Sequence, residues 1–292
     1  MAQGEKNARA VRGTRGPAAS SAAAPFAART VRSAGAPRPA GGQVAALEAQ
    51  ALTLSWDGEH VVVRDVDVTV APGEVCCLVG RSGCGKTTIL HALAGLTTPL
   101  SGRVLLHGED VTGSPGRVSY MLQKDLLLPS RRIIDNVCLP LVLAGMKKAD
   151  ARAKAAPLFE RFGLAGCELK WPGELSGGMR QRAAFLRTYL MGADVTLLDE
   201  PFSALDALTR TDVRRWFVDV AAELGLSALV ITHDVDEAVS MASRIYVLAG
   251  APAAGEPSHV AGIVRVRRVA SESFELTDEY LAAKREVMAL LG

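Results

Sequence analysis

From Val44 onward the apolar positions fall into short runs separated by turn residues. Segments 47–55 and 60–70 alternate or carry β-branched residues, as strands do, with Gly58 at the turn between them. Ala71-Pro72-Gly73 makes a second turn. Glu74–Val79 is a short apolar strand, followed by a Gly-rich loop and a helix over Ile89–Leu96. Pro99–Gly102 turns into a predicted strand pair, Arg103–His107 with Val118–Leu122. From Lys124 to Leu190 the pattern is helical, over Ile133–Leu143, Lys148–Phe162 and Met179–Met191.

Strands and helices then alternate. Val195–Leu198 is a buried strand, and Val213, Trp216, Phe217, Val220 and Leu224 share one helix face. Strand Leu229–Thr232, helix Val235–Met241, strand Ile245–Leu248, a hairpin near Gly250–Gly255 and helix Asp278–Leu291 complete the series. Apolar strands alternating with helices predict an α/β fold with a parallel sheet covered on both faces. The early strands predict an antiparallel β subdomain, and the block at about 124–190 an inserted α-helical subdomain.

Composition adjusts this picture in three places. The longest apolar run, Val137–Met146, spans about ten residues and is broken by Pro140, against roughly 20 needed to cross a bilayer. Residues 1–42 carry seven basic side chains against one acid, whereas the remainder carries a net −4 although the whole chain is +2. The tail, rich in Ala, Arg, Pro, Ser and Gly, buries too little apolar surface to order itself. Disorder is therefore expected over 1–42, with the folded domain at 43–292. The tail has the composition of a transit peptide, but a solvated segment touching anionic headgroups is the preferred expectation. The mildly acidic folded part predicts no nucleic-acid partner. Cys76, Cys77, Cys84, Cys138 and Cys167 lack zinc spacing and predict reduced, buried thiols.

The chemistry concentrates in a few segments. Gly80-Arg81-Ser82-Gly83-Cys84-Gly85-Lys86-Thr87 matches G-x-x-x-x-G-K-[ST] between a predicted strand and helix. Its backbone N–H groups, continuing to Thr88, suit a β-phosphate. Lys86 suits the β/γ-phosphates, and the Thr87 hydroxyl suits Mg²⁺. Val195-Thr-Leu-Leu-Asp199-Glu200 is an apolar strand ending in two carboxylates, where a parallel sheet binds its ligand. Asp199 is placed to hold Mg²⁺ and Glu200 to deprotonate an attacking water. His233 ends a second strand at the same predicted edge, suited to the γ-phosphate and its water. Gln123 opens the helical block and is placed to sense γ-phosphate and Mg²⁺. Trp56 is expected to stack on adenine from a strand, since base stacking contributes roughly 1–3 kcal/mol in nucleic-acid sites. Ser176-Gly177-Gly178 feeds into a helix, and its N–H groups form a second anion-facing loop.

In order, these segments resemble the ATP-binding subunit of an ABC transporter over about residues 44–291. They correspond to Walker A at 80–87, Q-loop Gln123, signature Leu175–Met179, Walker B 195–200, D-loop Ser203-Ala-Leu-Asp206 and H-loop His233. The resemblance implies a P-loop NTPase core and ATP with Mg²⁺. It implies a head-to-tail dimer of two copies, with ATP between Walker A of one and Ser176–Gly178 of the other. Asp206 would couple the two sites. It further implies permease subunits as partners, an extracellular solute-binding protein acting through them, and a place on the cytoplasmic face of the membrane.

The wording Tyr120–Pro129, Met179 and Asp199–Arg210 is similar to importers of the nitrate, sulfonate and taurine type, including carriers of thiamine pyrimidine precursors. Met179 replaces a usual Gln, as in relatives of that group. Ser130 stands where Trp is frequent, which changes the expected permease-facing groove near Lys124–Leu143. Soluble ABC ATPases of DNA repair insert a long coiled coil, but only 90 residues separate Lys86 from Ser176. Translation relatives carry two cassettes, and one set of motifs occurs here. A P-loop kinase would not need the Ser-Gly-Gly loop.

Overall fold

A computed structural model describes residues 44–268 and 274–292. The tail expected at 1–42 lies outside them. The strands are β1 Leu47–Ser55, β2 Val61–Val70, β3 Val75–Gly80, β4 Ser101–Leu106, β5 Glu109–Asp110, β6 Ser119–Met121, β7 Val195–Asp199, β8 Ser227–Thr232, β9 Arg244–Ala251 and β10 Glu256–Arg265. The helices are α1 Lys86–Leu93, α2 Ile133–Val137, α3 Leu139–Leu143, α4 Lys148–Ala155, α5 Leu158–Arg161, α6 Gly177–Tyr189, α7 Ala207–Leu224, α8 Val235–Met241 and α9 Asp278–Leu291.

The described strands form one curled sheet ordered β5-β4-β1-β2-β10-β9-β3-β8-β7-β6. Strands β9, β3, β8, β7 and β6 run parallel, while β5, β4, β1 and β2 are antiparallel neighbours. Strand β3 explains the two-sided core. Cys77 and Val79 enter one apolar cluster with the helical block, and Cys76 and Leu78 enter a second with β1, β2 and α1. All five cysteines are buried and free. No described helix is long and apolar enough to cross a membrane.

Several expected elements change. The segments 103–107 and 118–122 do not pair. Strand β4 joins β1, whereas β6 joins β7 in parallel at the opposite edge. The expected helix 133–143 divides at Cys138, beside Pro140, and the expected helix 148–162 divides at Pro157. Proline lacks the N–H that a continuous helix needs. Helix α6 begins at Gly177, two residues earlier than expected, because Ser176 Oγ accepts the N–H of Met179 at 3.3 Å. Phe162, Phe185, Trp216 and Phe217 stack at 5.2–5.8 Å and fasten the helical block to α7.

Candidate functional site

The parallel strands end at one edge, and the loops leaving β3, β6, β7 and β8 meet there. The loop after β3 is shaped by its glycines. A Cβ on Gly80 would lie 2.9 Å from the Leu248 carbonyl, and one on Gly85 would lie 2.7 Å from Val63 Cγ2. Gly85 also adopts φ 91° as it starts α1. Lys86 is buried, and its Nζ donates to the carbonyls of Gly80 (2.8 Å) and Arg81 (3.0 Å). The amine therefore sits folded beneath the loop. Arg81, Ser82, Gly83 and Thr87 are exposed, while Cys84 is buried, which pushes its thiol pKa up. Arg81 Nη2 donates to the Gly292 carbonyl at 2.8 Å.

Trp56 lies just beyond the end of β1 rather than within a strand. The residue is 64% exposed and its Nε1 donates to Thr88 Oγ1 at 3.2 Å, which parks the indole beside the start of α1.

Asp199 ends β7 almost fully buried. Tyr120 OH donates to its Oδ2 at 3.2 Å, and Thr87 Oγ1 lies 3.5 Å from Oδ1. Burial, aided by the adjacent Glu200 charge, raises its pKa against the two hydroxyl contacts. A buried carboxylate facing a threonine hydroxyl is an all-oxygen donor set of the kind hard divalent cations take.

Glu200 turns the chain at φ 42°, a left-handed conformation that a non-glycine residue adopts at about 1–3 kcal/mol. Its N–H donates to the Ile231 carbonyl at 2.9 Å, and Ser203 Oγ donates to its own carbonyl at 2.9 Å. The turn brings the Glu200 carboxylate between two reporters. His233 Nδ1 lies 3.2 Å from Oε2 on one side, and Gln123 Nε2 lies 3.3 Å from Oε2 on the other. Gln123 also donates to Ser203 Oγ at 3.3 Å. Lys86, Thr87, Asp199, Glu200, Gln123 and His233 thus converge on one edge.

The loop after Gln123 is gripped by α6. Arg180 pairs with Asp125 at 3.2 Å, and Arg187 donates to the carbonyls of Asp125 (2.5 Å) and Leu126 (2.8 Å). Gln181 of the same helix donates to the Pro201 carbonyl. Ser176, Gly177 and Gly178 form the N-terminal start of that helix. A Cβ on Gly178 would come within 2.8 Å of Thr209 Cγ2 and 3.0 Å of Val213 Cγ2, so glycine permits α6 to close on α7. Among the described residues no hydrogen bond or ion pair joins 176–178 to 80–88. Asp206 caps α7, accepting from the N–H of Thr209 at 3.1 Å, and the Thr209 hydroxyl together with that N–H lowers its pKa.

Tyr120, Gln181 and Ser203 were missed as site residues. Tyr120 and Ser203 lie inside recognised segments, but their partners are 79 and 80 positions away. Beside Tyr120 an apolar groove of about 350 Å³ opens between Leu122, Leu139, Pro140, Leu143, Arg187 and Met191. Its lining takes Leu139, Pro140 and Leu143 from the stretch 124–143 and adds Arg187 and Met191 from α6 and just beyond it. Ser130 does not line it.

Residues 63–203 match the family described as ABC transporter. The chain is 35% identical to the formylaminopyrimidine import ATP-binding protein ThiZ of Halalkalibacterium halodurans, over 82% of this chain and 94% of that protein. It is 41% identical to the aliphatic sulfonates import ATP-binding protein SsuB of Cupriavidus necator, over 73% of this chain and 68% of that protein. The fold matches the dimeric structure of MJ0796, a bacterial ABC transporter cassette, with TM-score 0.64 and 24% identity, covering 76% of this chain and all of that one. The chain belongs to the ABC transporter family and is the ATP-hydrolysing subunit of an importer of that family.

Proposed function

We propose that two copies of this chain close head to tail over ATP at the cytoplasmic face of a membrane and drive uptake of a small solute through a permease. The observation that carries the reading is the Glu200 carboxylate, held at 3.2 Å from His233 and 3.3 Å from Gln123 at the mouth of the phosphate loop. Glu200 takes the proton of the attacking water, and His233 and Gln123 orient that water and the γ-phosphate. The N–H groups of 82–88 and the Lys86 ammonium bind the phosphates, and Trp56 stacks on the base. Thr87, Asp199 and Gln123 would hold Mg²⁺, which when bound neutralises phosphate charge.

The second wall of each site comes from Ser176, Gly177 and Gly178 of the other copy, with Asp206 beside it. The supports are the absence of bonds between 176–178 and the chain's own phosphate loop, among the described residues, and the dimeric state of the related cassette. The groove at Leu122, Leu139 and Leu143 receives the permease. Movement of Gln123 reaches it through Asp125–Leu126 and the two arginines of α6. An external solute-binding protein would act through that permease. The cargo is a nitrate-, sulfonate- or taurine-like anion, or a pyrimidine precursor of thiamine, a reading supported by relatives named for import of formylaminopyrimidine and of aliphatic sulfonates.

Replacing Glu200 with Gln tests the chemistry. Hydrolysis should fall by roughly 10²–10⁴-fold, the usual weight of a general base. ATP binding should persist. Turnover near the parent rate would overturn the assignment.

A further inference from the structure

We propose that Arg210 is a positioning residue that couples the two ATP sites of the closed dimer. It does so by tying the loop a subunit lends to its partner to the histidine that reads its own γ-phosphate. The inference rests on the dimer reading above.

Arg210 lies in the first turn of α7, one turn past Asp206. Its guanidinium reaches in two directions. Nη2 donates to the Leu205 carbonyl at 2.8 Å, immediately before Asp206. Leu205 is buried, and its Cδ2 lies 3.3 Å from where a Cβ on Gly177 would stand. Arg210 therefore holds the residue on which the Ser-Gly-Gly turn rests.

On the other side, Nη1 lies 3.7 Å from Asp234 Oδ2 and Nε 3.8 Å from Glu237 Oε1. These two carboxylates frame His233. Asp234 caps α8, accepting the N–H groups of Asp236 (2.8 Å) and Glu237 (3.1 Å). Thr232 Oγ1 donates to Glu237 Oε2 at 2.6 Å and accepts the N–H of Asp234 at 3.0 Å. His233 is thus the one exposed residue of a closed ring of bonds running from Thr232 to Glu237.

The fit to coupling lies in how loosely Arg210 grips the second side. Its contact with Leu205 is a full hydrogen bond, whereas both acids stand at the outer limit of ion pairing. Its Nε is buried without a hydrogen-bond partner, an arrangement that favours any shift supplying one. A slight approach of α8 to α7 completes that bond. Motion of His233 toward a γ-phosphate would therefore draw on Arg210, and through Leu205 on the turn facing the partner's ATP. Lysine cannot replace it, because one ammonium cannot reach three acceptors in divergent directions.

The test uses the full chain. In the Glu200→Gln background, ATP-driven dimerisation is followed by sedimentation and ATP affinity of the monomer by titration. In the parent background, kcat, KM and the Hill coefficient for ATP are measured. Arg210→Gln should lower kcat about tenfold and bring the Hill coefficient toward one, with KM and monomer ATP affinity within about twofold. Arg210→Lys should not restore the Hill coefficient. Asp234→Asn keeps the helix cap and should show the same loss, and the double variant should be no worse than either single one.

An unchanged Hill coefficient, additive losses, or a loss of monomer ATP affinity matching the loss of kcat would overturn the proposal. If Arg210→Gln fails to fold, the Hill coefficient of Asp234→Asn decides alone. Failure of the Glu200→Gln chain itself to dimerise with ATP would instead remove the dimer reading on which the proposal stands.

Discussion

The phosphate loop and the Ser-Gly-Gly turn are both glycine-bearing entries to a helix, yet they are built in opposite ways. Around the first, the chain supplies its own chemistry. Lys86 folds under the loop, Asp199 faces Thr87, and Glu200 stands between Gln123 and His233. The second carries no carboxylate or histidine of its own. Its neighbour Glu174 is turned back onto the Trp171 N–H at 2.5 Å, and its glycines serve packing against Leu205, Thr209 and Val213. One region gathers carboxylates, a lysine and a histidine, and the other offers only backbone and a serine hydroxyl. The proposed division of each site between two copies would make use of this asymmetry.

The comparison breaks most visibly at Lys86. Lys86→Ala should weaken ATP binding by on the order of 30–100-fold, the weight of a lost charge-assisted contact of about 2–3 kcal/mol, as read by equilibrium titration of the monomer. Unchanged affinity would mean that the first region is not the primary binder.

Gly178→Ala sharpens the contrast from the other side. The added methyl meets Thr209 and Val213 at 2.8 and 3.0 Å, so the α6–α7 contact must open, at about 1–3 kcal/mol. Monomer ATP binding should stay within about twofold while hydrolysis drops by roughly tenfold or more. Equal losses in both would show that the turn acts within its own chain.

The smallest effect concerns Asp199, whose pKa is raised by burial. The unfolded chain gives up this proton first, so stability falls as pH rises from the ordinary carboxylate value to the raised one, and stays lower above it. Asp199→Asn should therefore raise Tm at neutral pH in the absence of nucleotide. That gain should disappear below about pH 4, where both states are protonated. A lower Tm across the whole range, by calorimetry, would contradict the burial argument.

How much of this was legible depended on how local each signal is. Strand β3, the loop of 80–87 and α1 are contiguous, so spacing alone revealed them, as it did Asp199, Glu200 and His233 at strand ends. Strands 103–107 and 118–122 looked like a pair because they are near in sequence. Their true partners, β1 and β7, lie about 50 and 75 positions away, and no local pattern encodes that choice. The divided helices carried a visible signal in Pro140 and Pro157 that the apolar spacing overrode. The contacts of Tyr120 and Arg210 were invisible for another reason: they are made across the sheet edge and between α7 and α8, after folding. The part that α6 plays in the apolar groove was not legible, because sequence order places Arg187 and Met191 far from α3.

The division of each site between two copies is tested most directly with mixed dimers of differently tagged chains, all carrying Glu200→Gln. In one, a single subunit carries both Lys86→Ala and Ser176→Arg beside an otherwise intact partner. In the other, one subunit carries Lys86→Ala and its partner carries Ser176→Arg. If each ATP lies between one copy's loop and the other copy's turn, the first dimer has no intact site and traps no ATP. The second keeps one intact site and traps one ATP per dimer. The reverse result, with ATP trapped when both changes share a subunit and none when they are separated, would contradict the account.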